Sequence, residues 1–212
     1  MDRGYTIFLG VFLTFASAWL GLVLAPYLQL HDLQPARAEE TDTPYPRPLQ
    51  GLAAAGREVY RANGCLYCHS QQIRPEGFGA DISRGWGPRR TVARDYLYDR
   101  PILLGTMRTG PDLTNIGVRQ PSAAWHHKHL FNPPITSPGS TMPSFAFLYE
   151  RRKVVGEPSH EALVFTDQEL AQWPVGWSPE PGYEIVPTAE ARALVAYLQA
   201  LDRTYPLPEA DQ

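Results

Sequence analysis

Cysteine is scarce in this chain. Its 212 residues include two, Cys65 and Cys68. A structural zinc site built from two pairs of ligands has no second cysteine pair to draw on. Charge of one sign is scarce as well, with a net charge of -3. That leaves no basic footprint for nucleic acid and no strong acidic field. No repeat or low-complexity tract is present, and nothing alternates as a strand would, so the predicted fold class is all-α. From Gly4 to Leu30 there is no charged residue at all.

What is present begins at the two cysteines, in the run Cys65-Leu66-Tyr67-Cys68-His69. A thioredoxin-like dithiol would follow a strand in a strand-helix alternation. Here the preceding residues, Leu49 to Asn63, read as a helix, with Leu52, Ala55, Val59 and Tyr60 at helical spacing. C-x-x-C-H is the c-type haem attachment signature. Two thiols add across the two vinyl groups of one haem, and the adjacent imidazole falls under the iron. Both cysteines are then consumed, so the expected cofactor is one covalent haem c, with no disulfide.

The uncharged N-terminal stretch is dense in Leu, Phe, Val, Ile and Ala. It is long enough for a hydrocarbon core of about 30 Å, which needs roughly 20 residues. Tyr5 and Tyr27 fall near its two ends, where interfacial aromatic belts form. Ala36-Arg37-Ala38 resembles a signal-peptidase site. The apolar run, however, is longer than the roughly 7–15 residues of a signal peptide's core, which favours a retained anchor. The expected division is a transmembrane anchor over 1–32, a Pro-rich tether over 33–48, and one domain over 49–212. The tether carries Pro35, Pro44, Pro46 and Pro48, and reads as extended and stiff. With 21 prolines, the domain is expected to be loop-rich and wrapped around a large cofactor that completes its core.

A second strong helix starts at a Thr188 cap and carries Leu194, Val195, Leu198 and Leu201 as a stripe. Gly56 would let the helix at 49–63 approach it closely. Weaker helices are expected over Arg89 to Tyr98, over Ser122 to Phe131 before Pro133-Pro134, and over Thr166 to Gln172, where Thr166 and Glu169 form a capping box. Two terminal helices crossing beside a haem motif resemble the class I cytochrome c fold.

The second iron ligand decides what such a haem does, because one open position binds gases or peroxide and two filled positions carry electrons. Candidates are Met107, Met142, His31, His126, His127, His129 and His160. Met142 stands in Ser140-Thr141-Met142-Pro143, a loop with no packing reason for an exposed methionine. Thr109-Gly110-Pro111-Asp112-Leu113 resembles the class I loop on the histidine side. That resemblance implies that the Pro111 carbonyl accepts the free ring N–H of His69, and it puts Met107 on the wrong side. Met142 is therefore the expected axial ligand with His69. His126 and His129 share a spacing that suits a metal, but have no carboxylate nearby in sequence. Arg108 and Trp125 are expected to contact the haem, and Arg119 is as well read as solvated surface.

The pieces Gly64 to Gln71, Ile73-Arg74-Pro75, Tyr98-Asp99, Arg108 to Leu113, Trp125-His126, His129-Leu130 and Ser140, Met142, Pro143 resemble a known family. It is the membrane-anchored mono-haem subunit II of cbb3-type, or C-family haem-copper, cytochrome c oxidases. The similarity spans Gly56 to Phe145, with Phe78 to Arg94 and an insertion over 150–187 divergent. It implies an electron-transfer subunit of a membrane terminal oxidase, with no catalytic residue of its own. Implied partners are a catalytic haem-copper subunit, an electron-donating cytochrome c and the lipid bilayer. The implied location is the bacterial cytoplasmic membrane, single-pass, with the haem domain on the periplasmic side. Two other readings are the similar cytochrome of a nitric oxide reductase and a five-coordinate haem enzyme or gas sensor.

Overall fold

The computed structural model describes residues 3–37, 42–170 and 180–210. It is mostly helical and separates into two units: residues 1–46 with Ala93–Leu97, and residues 47–92 with 98–212.

In the first unit, helix α1 runs Gly4–Leu30, 27 residues with a mean hydropathy of 2.3 over its most apolar window. It is apolar and long enough to cross a membrane, at about 40 Å for a rise of 1.5 Å per residue. Two of its hydroxyls are satisfied internally, as hydrocarbon demands. Thr14 Oγ1 donates to the Gly10 carbonyl at 2.8 Å, and Ser17 Oγ to the Thr14 carbonyl at 3.0 Å. One wider π-turn, Leu20–Leu24, precedes Pro26. Proline lacks the N–H that would continue the ladder, and the widened turn accommodates the defect. The expected tether contains a minimal hairpin, β1 (Ala36–Arg37) against β2 (Pro44–Tyr45). Tyr45 Oη donates to Asp95 at 2.7 Å, and Arg94 donates to the Gln34 carbonyl. Those bonds join the Ala93–Leu97 segment to this unit. Ala38 of the signal-like tripeptide lies outside the described residues.

The second unit is built on α2 (Gly51–Ala62) and α7 (Ala189–Gln199). Thr188 Oγ1 caps α7 by accepting from Ala191 N at 3.2 Å. The two helices cross at Gly56, where a Cβ would lie 1.8 Å from the Ala193 carbonyl oxygen. This crossing is thus backbone against backbone, and no larger residue fits. Tyr60 and Tyr197 meet edge-on beside it, with centroids 5.3 Å apart. Between them come α3 (Ile116–Arg119), α4 (Ala123–Phe131) and α5 (Pro133–Thr136). Ser122 caps α4 by accepting from Trp125 N. Phe131, Leu148, Leu194 and Tyr197 are the centre of the core, each almost fully buried.

Two expectations need correction. The chain is not all-α. Besides β1–β2, strand β3 (Tyr149–Lys153) pairs antiparallel with β4 (Tyr183–Pro187), with Arg151 opposite Ile185. Tyr149 is the one buried residue of β3, and its other four are exposed. In β4 the last three residues are buried consecutively. Neither strand alternates, so the period-2 signal was absent. The expected helix at Arg89–Tyr98 is a single 3₁₀ turn, Ala93–Tyr96. Arg89 and Arg90 instead reach the carbonyls of Tyr205 and Glu209. The helix expected at Thr166–Gln172 is described as one turn, α6 (Asp167–Leu170), with the capping box formed in both directions. Gln172, Trp173 and Trp177 lie outside the described residues.

Candidate haem site

The site begins at the end of α2. Gly64 adopts a left-handed φ of 69° and reverses the chain into a 3₁₀ turn at Cys65–Tyr67. His69 N donates back to the Cys65 carbonyl at 3.0 Å, which fixes the histidine at the close of that turn. The loop 104–113 is stitched alongside by four backbone bonds. Gln71 N donates to Leu104 O, Thr106 N to Leu66 O, Gly110 N to Cys68 O and Leu113 N to Ser70 O, all at 2.8–3.0 Å.

That stitching presents the Pro111 carbonyl to the His69 ring, with Nδ1 at 2.7 Å from the oxygen. A carbonyl only accepts, so Nδ1 carries the proton and Nε2 keeps its lone pair. Burial lowers the His69 pKa, with the Pro111 bond and the Asp112 charge opposing it. The ring is therefore neutral at pH 7, which a metal ligand requires. Gly110 forms the seat of the ring. A Cβ there would stand 2.3 Å from His69 Cε1.

An apolar crevice of about 70 Å³ opens at this ring. Its wall includes Cys65, His69, Pro111, Trp125, His129 and Met142, backed by Tyr60, Ile116, Leu194 and Leu198. An adjoining space of about 420 Å³ shares His69, Pro111, Trp125, His129 and Met142, and adds Cys68 and the loop Ser137–Pro143. Burial pushes the Cys65 thiol up to about 11. Met142 packs against the core, with its N–H on Ser140 Oγ at 3.3 Å.

Six of the seven residues expected at the site come together on these walls: Cys65, Cys68, His69, Pro111, Trp125 and Met142. Arg108 does not line them. Its guanidinium donates to both Asp81 oxygens at 2.6 Å, to Ser70 Oγ at 2.8 Å and to the Gln72 carbonyl. Arg74 also pairs with Asp81. Burial alone would raise the Asp81 pKa, and the hydrogen bonds from Arg74 and Arg108 outweigh it, leaving the carboxyl well below its ordinary range. Phe78 to Arg94 carried no signal of this cluster, because Arg74 and Arg108 lie outside that stretch, 7 and 27 residues from Asp81. Arg119 donates to the Asp112 carbonyl.

The histidines of α4 are individually engaged. His126 meets the Gln120 carbonyl at 2.8 Å, and His127 Nδ1 meets Tyr149 Oη at 3.1 Å. His129 Nδ1 meets Thr136 Oγ1 at 2.7 Å, and its ring stacks on Trp125 at 4.6 Å. Among the described residues no cluster of three His, Cys, Asp or Glu is arranged for a metal ion. Burial, followed by the charges of His69 and His126, brings His129 down to about 4. His129 thus faces the crevice as a neutral ring, a role the sequence did not single out.

The residues present fit a haem. An apolar crevice and the space adjoining it carry two thiols, a neutral imidazole held by its outer nitrogen, and a thioether. Those features define a cytochrome-type haem protein. The chain belongs to the family described as cytochrome c oxidase, mono-heme subunit/FixO, which matches residues 6–170. It is an electron-transport subunit of a membrane terminal oxidase, and the family implies association with the catalytic subunit. No curated protein matches the chain.

Proposed function

We propose that the chain holds one haem c through thioethers at Cys65 and Cys68, with His69 and Met142 as the iron's two axial ligands. The second unit then reads as a class I cytochrome c domain with loop-rich insertions. Haem bound there supplies one-electron Fe(II)/Fe(III) chemistry. The protein's residues set its terms. Pro111 orients His69 and raises its basicity. Met142 would be the second residue to hold the iron, which would keep oxygen from it and favour the reduced state. Trp125, Leu194 and Leu198 exclude water from the slot. No general acid or base is assigned, since no bond of a substrate is made or broken here.

The observation that carries the reading is the 2.7 Å His69–Pro111 contact on a crevice whose wall also holds Met142. In this reading, α1 spans the cytoplasmic membrane once, and the haem domain stands on the periplasmic side. The electron arrives from a donor cytochrome c and leaves for the haem-copper subunit that reduces oxygen to water. Tagged protein isolated in mild detergent from its native membrane tests this assignment. Haem b and copper are expected to co-purify with haem c. Isolation of the haem c chain without copper would contradict it.

A further inference from the structure

Asp112 follows Pro111, and its carboxylate is fully buried. Oδ2 accepts from Ser70 Oγ at 2.6 Å and from Gln72 N at 2.8 Å, and Oδ1 accepts from Thr114 N at 2.8 Å. Ser70 and Gln72 are the residues just after His69. One carboxylate therefore ties the segment that carries the histidine to the loop that carries its hydrogen-bond acceptor. The contacts close a ring: His69 to Ser70 through the chain, Ser70 to Asp112 by a hydrogen bond, Asp112 to Pro111 through the chain, and Pro111 back to His69 Nδ1.

Pro111 has no N–H with which to anchor itself. Its carbonyl is held from its flanks, by Gly110 N on Cys68 O before it and by the Asp112 contacts and Leu113 N on Ser70 O after it. Arg108 backs the arrangement. It donates to the same Ser70 hydroxyl, stands 3.7 Å from Asp112 Oδ2, and is itself pinned by Asp81. An ionised carboxylate with charge-assisted partners is a stiffer tie than a neutral group would be.

We propose that Asp112 is a positioning residue for the iron ligand His69: it holds the Pro111 carbonyl at the ring nitrogen and so sets the ligand's electron donation. This rests on His69 being a haem ligand, the reading given above. A shorter, better-aligned Nδ1–H···O bond gives the ring more anionic character, which favours Fe(III). Loosening the bond therefore raises the reduction potential. Loss of the buried negative charge moves the potential the same way, so the two effects must be separated. Asp112→Asn removes the charge and retains an oxygen for Ser70 and Gln72. Asp112→Ala removes both.

The experiment uses the full haem-loaded chain in detergent micelles, labelled with ¹⁵N-histidine. Three quantities are read: hydrogen exchange at His69 Nδ1–H in the reduced state, the reduction potential, and the near-infrared methionine-to-iron band. Exchange is expected to accelerate about fivefold in Asp112→Ala, the worth of one net hydrogen bond, and far less in Asp112→Asn. The potential is expected to rise in both, and more in Ala. Ser70→Ala, which removes one donor from the same carboxylate, gives an intermediate acceleration and serves if Asp112→Ala does not fold. Exchange and potential unchanged in Asp112→Ala, or exchange unchanged in Ser70→Ala where it stands in, would overturn the proposal and leave Asp112 a merely structural residue. A missing methionine band in the unmodified chain would strike the His69–Met142 reading instead, while Nδ1–H exchange still decides the role of Asp112.

Discussion

Replacing Gly110 by Ala probes the seat of the histidine directly. The new Cβ would lie 2.3 Å from Cε1, 2.7 Å from Nδ1 and 2.8 Å from Nε2 of His69. Ordinary contact begins near 3.4 Å, so the ring must retreat by about 1.1 Å. The loop cannot yield in its place, because Gly110 N is bonded to Cys68 O at 2.9 Å. A retreat of that size lengthens the 2.7 Å bond to Pro111 beyond hydrogen-bonding range. Losing that bond costs about 1 kcal/mol net. The crowding adds about 1–3 kcal/mol. Together these predict a loss of about 2–4 kcal/mol, or roughly 5–15 °C in the melting temperature of a chain this size. The assay is thermal unfolding of the haem-loaded chain in detergent, with covalent haem quantified on denaturing gels. Thr109→Ala, at the exposed neighbouring residue, is the control, and its change should stay within about 0.5 kcal/mol. A Gly110→Ala chain that melts with the control and carries the same haem would refute the claim that this glycine seats the ligand.

Other consequences can be checked alongside. Gly56→Ala puts a Cβ 1.8 Å from the Ala193 carbonyl, so denaturant unfolding should show a loss of about 3 kcal/mol or more, against no more than about 1 kcal/mol if the helices slide apart freely. Asp81→Asn strips the buried counter-charge from Arg74 and Arg108 and should cost about 3 kcal/mol, softened where Arg74 meets solvent. An equilibrium unfolding curve unchanged from the parent would show the cluster to be dispensable. His127, held at about 4 first by burial and then by His126, takes its proton later in the folded chain than in the unfolded one. Its contribution to stability is therefore complete above the ordinary 6.5 and declines as pH falls from there toward 4, by up to about 3 kcal/mol. His127→Gln should flatten the stability profile in that window, and an unaltered slope would assign the pH dependence elsewhere.

The haem motif was legible because its chemistry is local: two thiols and an imidazole within five residues need no fold to be recognised. The crossing of α2 and α7 was legible for a related reason, a helical stripe facing a glycine at Gly56. The capping of α4 by Ser122 and of α7 by Thr188 also read directly from side-chain chemistry. The β3–β4 pair was hidden, because Glu150 to Lys153 present only exposed polar residues and the partner strand lies some thirty residues on. The pairing of Arg108 with Asp81 was not legible for a different reason. An arginine near a haem motif has a ready use in a propionate pair, but Asp81, in a stretch with no readable pattern, holds it at 2.6 Å. Long-range ion pairs leave no spacing signal. His129 was one ligand candidate among several by residue type, and its place on the crevice wall was not legible because it depends on how α4 is rotated against Trp125, which no local pattern encodes.

The central claim is that His69 and Met142 close both axial positions of one covalent haem and make the chain an electron carrier. The optical spectrum and redox titration of Met142→Ala, against the unmodified chain, test it most directly. The account predicts that the near-infrared methionine band is present in the parent and lost in the variant. It also predicts that the potential falls, and that the reduced variant binds carbon monoxide while the reduced parent does not. A variant that keeps the band and the potential, or a reduced parent that binds carbon monoxide readily, would contradict it.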